Sequence, residues 1–294
     1  LLLIDGKKIS ADIKQELKEK AAALFEKYGV RPGLAVLLVG NDPSSAVYVN
    51  SKEKACALLG YNSTIIRKPE DTPEEEVLAI VRQWNEDPAI HGILVQSPMP
   101  GHIDEHKVVA AIDPDKDVDG FHPMNIGRLV IGMPGFVSCT PAGIMELIKR
   151  SNIKLKGKHV VVLGRSNIVG KPIANLLYQK NPDANAVVTI VHTGAEDMRY
   201  YTKQADVLIA AIGSPNRIKA EDIKEGCVII DVGITRVEDP SLEKGYRLVG
   251  DVDFESVKDK VSALSPVPGG VGLMTIAMLM TNTYISAVNH LGAV

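Results

Sequence analysis

The chain has 294 residues, 45% of them hydrophobic and 23% charged, so it is long enough for two ordinary domains and apolar enough to bury a core. Its formal net charge is −3 and its basic residues are scattered singly, which leaves no basic surface to drive nucleic-acid binding. The three cysteines, Cys56, Cys139 and Cys227, lie far apart with no CxxC pair; that argues against a disulfide framework or zinc ribbon and for small buried residues in a reducing compartment.

Leu1 to Ile4 is too short an apolar stretch for a signal peptide, and no apolar run approaches a membrane span, so the expected setting is the cytoplasm. A helix is predicted from Ser10, which can cap it, with Ile13, Leu17, Ala21 and Leu24 on one face. Residues 33–40 (GLAVLLVG) read as a buried strand, 44–60 as a helix ended by a glycine cap, and 63–67 as a second strand. Thr72-Pro-Glu-Glu75 has the form of a capping box and opens a helix to about Glu86; residues 91–96 (HGILVQ) are a third strand. Residues 98–134, rich in Pro, Gly, Asp and His, read mostly as loop, and long loops in compact domains usually carry function.

Thr140-Pro141 caps a new helix, and a second alternating series follows. Its strands are 159–163, 186–192, 207–212 and 228–232, with helices between the first three. Residues 274 to about 290 form one apolar helix after the turn-rich Pro266-Val-Pro-Gly-Gly-Val-Gly272. Strands alternating with helices imply parallel sheets joined by right-handed crossovers. The fold class predicted is α/β: two α/β domains with a cleft between them, 1–138 and 139–272, the second a Rossmann-type dinucleotide-binding domain.

The dinucleotide site is predicted at Gly164-Arg-Ser-Asn-Ile-Val-Gly170, where a strand runs through a glycine turn into a helix. The glycines are six apart, unlike GxGxxG. The physics is shared: a tight turn delivers the free N–H groups of the next helix to a pyrophosphate. The following strand ends at His192-Thr193 without the carboxylate that an NAD site usually offers the ribose. Arg165 can instead meet a 2′-phosphate, with Thr193 adding a hydroxyl, which favours NADP. The alternative is that Arg165 only solvates the loop and Glu196 or Asp197 serves the ribose.

In the first half, Tyr48 and Lys52 share one face of a helix, their tips within reach. Gln96 stands at the C-terminal end of the third strand, where open α/β sheets bind ligands. The acidic loop Asp113-Pro-Asp-Lys-Asp-Val-Asp-Gly120 imitates the start of an EF-hand, but its twelfth position from Asp115 is Ile126, not Glu, so calcium is not expected. His102 and His106 have metal-like spacing without a third ligand, and no metal site is expected.

With these pieces in view, the chain closely resembles the bifunctional methylenetetrahydrofolate dehydrogenase/methenyltetrahydrofolate cyclohydrolase family over nearly its whole length. The motifs that carry the resemblance include Tyr48-Val-Asn-Ser-Lys52, Val95-Gln-Ser-Pro98, Lys116-Asp-Val-Asp-Gly-Phe-His-Pro123, Gly164 to Pro172, Asp231-Val-Gly-Ile234 and Pro266 to Gly272. The resemblance implies a folate site at Tyr48, Lys52, Gln96 and Asp119, and an NADP site at Gly164, Arg165, Ser166, Thr193 and Ile234. It also implies a dimer through the cofactor domain, residues 273–294 as a helix packing back on the first domain, and a place in one-carbon metabolism feeding purine, methionine and histidine biosynthesis. Lys52 is then the proton-transfer residue of the cyclohydrolase step, Tyr48 and Gln96 orient it and the water, and Asp119 binds the pterin edge. The chain departs from the family at Leu273, where proline is usual, and at Ser97 and Met99, where leucines are common. The residues alone leave three rivals: another NADP oxidoreductase on the same architecture, a non-catalytic cofactor-binding regulator, and a dehydrogenase that has lost the hydrolase step.

Overall fold

The structure is a computed structural model and describes residues 1–292. Strand β1 (Leu2–Leu3) precedes helix α1 (Gly6–Tyr28). The helix starts ahead of the predicted Ser10 because Asp5 Oδ1 accepts from Lys8 N at 2.9 Å. Ser10 lies inside it and donates to the Lys7 carbonyl. Strands β2 (Gly33–Val39), β3 (Asn62–Lys68) and β4 (Gly92–Val95) make a parallel sheet in the order β3-β2-β4, with α2 (Pro43–Leu59) and α3 (Glu74–Glu86) as crossovers. All of β2 is buried, as expected of a parallel strand covered on both faces. Asp42 opens α2 by accepting from Ser45 N at 2.6 Å, and Gly60, at φ 72°, closes it.

The capping box expected at Thr72 does not form. Thr72 Oγ1 donates to the Pro69 carbonyl at 2.7 Å, and Glu74, Glu75 and Glu76 in the first turn of α3 complement the helix dipole instead. Residues 98–134 are also less irregular than expected: they hold α4 (Glu105–Ala111) and α5 (Pro123–Ile131). Asp104 caps α4, and His122 Nδ1 caps α5 by accepting from Met124 N at 3.0 Å. Both helices are short, so neither develops a sequence period strong enough to read. Helix α6 (Cys139–Arg150) follows.

The second series contains β5 (His159–Leu163), α7 (Gly170–Leu177), β6 (Val187–Val191), α8 (Met198–Thr202), β7 (Val207–Ala210) and β8 (Val228–Asp231). An unforeseen antiparallel hairpin of β9 (Thr235–Glu238) and β10 (Tyr246–Val249) comes next, then α9 (Phe254–Val257), β11 (Ala263–Leu264) and α10 (Met274–His290). The main sheet is parallel, in the order β1-β11-β8-β7-β5-β6. Val160 to Leu163 of β5 are fully buried, and around them Val161, Leu163, Leu208, Ala210 and Ile229 form the core of this series.

The chain divides into two compact units: Leu1–Ser10 with Thr140–Thr275, and Ala11–Cys139 with the chain from Ile276 onward. The expected boundary is corrected at the N terminus. Leu2 and Leu3 pair with Ala263 and Leu264, so the first residues belong to the unit of the second series; a two-residue strand leaves no sequence signal.

One apolar run also corrects the sequence reading. Val271–His290 is long and apolar enough, by length and composition, to cross a membrane. More than half of its most apolar window is buried in the protein, and its buried Asn282, Thr283 and Ser286 find partners there. Asn282 Nδ2 donates to the Val118 and Val137 carbonyls at 2.8 and 3.1 Å, and Ser286 Oγ to the His91 carbonyl at 2.6 Å. These bonds are those of a core helix.

Candidate active site

Three elements of one unit bring the predicted folate-site residues together. Lys52, on α2, donates from Nζ to Gln96 Oε1 at 2.6 Å. Gln96 follows β4; its backbone N–H continues the sheet to the Leu37 carbonyl, and its Nε2 donates to the Ser97 carbonyl at 2.7 Å. The amide is therefore fixed with its oxygen toward the lysine. Ser97 Oγ in turn donates to Glu105, so the serine that replaces a leucine here has a partner. Tyr48 is 61% exposed and its hydroxyl has no hydrogen-bond partner among the described residues. Its shared face with Lys52 is real, but Lys52 is bonded to Gln96 rather than to it.

Asp119 sits in a loop wound around its neighbour Asp117. Asp117 accepts from the backbone N–H groups of Gly120, Phe121 and His122 and from Asn125 Nδ2 at 2.9 Å. Its oxygens are thus spent on shaping the loop, the role behind the EF-hand-like spacing. Among the described residues no group of three or more His, Cys, Asp or Glu side chains is arranged to hold a metal. His102 meets the Thr72 carbonyl at 2.8 Å.

Cys139, which the sequence suggested only as a buried apolar residue, joins the site. Its thiol donates to Asp119 Oδ1 at 3.8 Å. Burial, and then the Asp119 charge, push that thiol well above its ordinary range, so it stays protonated and able to donate. Burial lowers the Lys52 pKa, opposed by attraction to Asp119. Burial pushes Asp119 up to about 6, opposed by Lys52.

Asp119 is therefore harder to ionise folded than unfolded. A carboxyl raised this way contributes stability at low pH that is lost as pH rises from the ordinary aspartate range through about 6. Asp119→Asn should accordingly stabilise the fold near neutral pH by at most about 3 kcal/mol, read as a higher melting temperature, since the position is only partly buried. The gain should shrink as pH falls toward the ordinary aspartate range. A variant less stable than the parent at neutral pH would contradict this ionisation cost.

The other unit puts the predicted dinucleotide-binding residues at a topological switch point. In the sheet, β5 has β6 on one side and β7 on the other, and such crevices at strand C-termini bind ligands. Gly164 follows β5 at φ 117°, and a Cβ there would lie 2.2 Å from the Ala211 carbonyl oxygen, so only glycine fits the turn. Ser166 Oγ accepts from Val169 N at 3.1 Å and Gly170 N at 3.2 Å. The serine thus uses two of the N–H groups expected to face a pyrophosphate. The amides of Arg165, Ser166 and Asn167, just before the helix, donate to no acceptor among the described residues. This donor set suits a pyrophosphate.

Arg165 is exposed, with Nη1 3.4 Å from His192 Nε2. His192 Nδ1 accepts from Gly194 N at 3.0 Å, which places the proton of a neutral ring on Nε2. Two donors then face each other with no acceptor between them, a geometry suited to an anion. Thr193, also exposed, lines a cavity of about 300 Å³ together with Glu196, Arg199 and Arg217. Asp197, one alternative ribose carboxylate, is spent as the cap of α8, accepting from Arg199 N at 2.8 Å. Arg217 has no partner among the described residues, and nothing in the local sequence pointed to it. Ile234 is 52% exposed and packs over Gly272. Beside it, Leu273 N donates to the Gly270 carbonyl at 3.3 Å, a bond that proline could not make.

A Rossmann-type unit with an anion-ready turn, and an α/β unit with a lysine–amide–carboxylate cluster, define a dinucleotide-dependent oxidoreductase equipped to move protons. The tetrahydrofolate dehydrogenase/cyclohydrolase catalytic domain matches residues 4–119, and the NAD(P)-binding domain of the same family matches residues 138–291. A Chlorobium phaeobacteroides protein named bifunctional protein FolD is 58% identical over 283 residues, 96% of each chain. The bifunctional FolD methylenetetrahydrofolate dehydrogenase/cyclohydrolase of Campylobacter jejuni superposes with a TM-score of 0.91 at 48% identity, covering 98% of both chains. The Trypanosoma brucei enzyme, solved with NADP and an inhibitor, gives 0.91 at 38% identity, covering 100% of this chain and 99% of its own. The chain belongs to the tetrahydrofolate dehydrogenase/cyclohydrolase family.

Proposed function

We propose that this chain oxidises 5,10-methylenetetrahydrofolate to 5,10-methenyltetrahydrofolate with NADP and then hydrolyses the product to 10-formyltetrahydrofolate. The observation that carries the reading is the Lys52–Gln96 bond beside Asp119, in a chain that also holds a dinucleotide turn. When bound, the nicotinamide supplies the hydride acceptor. The oxidised carbon is stabilised by its two flanking folate nitrogens, so the first step asks the protein mainly for orientation, an effect worth ~7–11 kcal/mol in well-aligned systems. Asp119 orients the folate by accepting from paired N–H donors of the pterin edge, and Tyr48 adds the exposed ring and hydroxyl of α2.

The second step needs proton movement. Water attacks the methenyl carbon and loses a proton to the Lys52 amine, whose pKa burial has lowered toward the working range. The resulting ammonium returns that proton to folate N5 as the C–N5 bond breaks, and the remaining hydroxyl proton is released to solvent as the formyl C=O forms. Gln96 holds the amine in place through its anchored amide. Incubating the purified chain with 5,10-methylenetetrahydrofolate and NADP should yield NADPH and 10-formyltetrahydrofolate in equal amounts by chromatography. NADPH without the formyl product would sink the hydrolase half, and neither product would sink the whole reading.

The cofactor preference rests on Arg165, His192 and Thr193. Arg165→Ala should raise the KM for NADP by roughly 10- to 100-fold, the loss of one charge-assisted contact, and leave the KM for NAD almost unchanged. Equal effects on the two cofactors in initial-rate assays would remove the 2′-phosphate role.

Pairing of two copies through the dinucleotide unit is supported by β6, an edge strand of the sheet with Val187 and Ile190 exposed at 63% and 43%. A cytoplasmic setting, with no membrane or nucleic-acid partner, fits the three free, buried cysteines and the slightly acidic charge. The reaction would place the chain in one-carbon metabolism, with its products drawn on for purine, methionine and histidine biosynthesis.

A further inference from the structure

One buried carboxylate, away from the folate residues, organises the dinucleotide unit. Asp251 has no exposed surface and follows β10. Its Oδ2 accepts from Ile212 N at 2.8 Å and Gly213 N at 3.1 Å, and its Oδ1 from Ser214 N at 2.8 Å. These three amides are the whole turn that leaves β7. The residue before them, Ala211, presents the carbonyl that fills the space where a Gly164 side chain would lie. Asp251 thus sets the backing of the phosphate turn.

The same carboxylate fixes a second loop. A Cβ on Gly233 would lie 2.3 Å from Asp251 Oδ1, so the backbone beside Ile234 rests directly on it. Asp251 N donates to Asp231 Oδ1 at 3.0 Å, and Asp231 Oδ1 also accepts from Gly233 N at 3.0 Å. The loops after β7 and β8 therefore meet on one side chain, the Gly164 turn after β5 lies against the Ala211 carbonyl beside it, and all three loops leave C-terminal strand ends, where such sheets bind dinucleotides.

We propose that Asp251 is the positioning residue of the dinucleotide site, holding the loops after β7 and β8 in register with the Gly164 turn. It touches no reactant, and it acts through three backbone amides. The inference rests on the NADP reading above. It predicts a particular failure: weakened dinucleotide use with the folate chemistry intact.

Asp251→Ala removes both acceptor oxygens and so all three bonds, whereas Asp251→Asn keeps one oxygen and turns an N–H₂ group toward amides. Alanine should raise the KM for NADP by about tenfold or more, given the worth of hydrogen bonds to charged groups. Asparagine should fall between alanine and the parent. Hydrolysis of added 5,10-methenyltetrahydrofolate should stay within about twofold of the parent in both variants, because its chemistry lies in Lys52, Gln96 and Asp119. A purely structural role would instead lower both activities together, and that result, or an unchanged KM, would overturn the proposal. Parent enzyme without NADP-dependent activity would refute the functional reading instead. Hydrogen exchange on the cofactor-free parent gives a test independent of variant folding: the amides of Ile212, Gly213 and Ser214 should exchange slowly, and fast exchange would also overturn the proposal.

Discussion

Lys52→Met is expected to reduce cyclohydrolase turnover by about 10²- to 10⁴-fold, the usual worth of a positioned proton-transfer group. Dehydrogenase turnover should stay within about tenfold of the parent, because hydride departure needs no proton transfer and depends on orientation. Methionine keeps the length and the apolar stem but has no amine. The Lys52–Gln96 bond is lost, while Gln96 remains tied to the Ser97 carbonyl, so the pocket wall keeps its shape. Separate assays starting from methylene- and methenyltetrahydrofolate check the split. Equal loss in both would make Lys52 a binding residue rather than the base.

Asp119→Ala should weaken folate binding by roughly 10- to 100-fold, the loss of a charged acceptor facing N–H donors. Both activities should fall together at low folate, while the KM for NADP holds. Folate affinity measured by fluorescence titration decides this; an unchanged affinity would remove Asp119 from the pterin edge. The pH dependence has a defined sign. Asp119 ionises at about 6, so folate affinity should weaken as pH falls through that value. The lowered pKa of Lys52 acts in the same direction on hydrolysis, since its neutral form grows with pH.

How much of this was legible in the sequence depended on how local each signal was. The spacing of Tyr48 and Lys52 on one helix face is a property of 3.6-residue periodicity and could be read directly. The partner of Lys52 is 44 residues away; the rule about strand ends points to Gln96 from the residues alone, and the family resemblance adds to it. Cys139 could not be found, because a cysteine beside Thr140-Pro141 looks like any small core residue until the fold brings it to Asp119. Asp117 is visible only within a spacing that imitates a cation loop, a reading that Ile126 at the twelfth position excludes; what its oxygens do instead, accepting from backbone amides and Asn125, needs the fold. Ser166 shows a similar shift. The structure places it in the turn, where its hydroxyl accepts from the N–H groups of Val169 and Gly170 that open α7. Asp251 gave no sequence signal, since its three partners lie 37 to 39 residues away and are all backbone.

The central claim is that one chain performs both steps, with Lys52 confined to the second. It is tested most directly by following NADPH and methenyltetrahydrofolate absorbance together after methylenetetrahydrofolate is added with NADP, correcting for uncatalysed hydrolysis. In the parent enzyme methenyltetrahydrofolate should stay well below NADPH and decline as 10-formyltetrahydrofolate forms, whereas with Lys52→Met it should rise in step with NADPH and persist. Equal accumulation in the parent, or decline at the parental rate in the variant, would contradict the account.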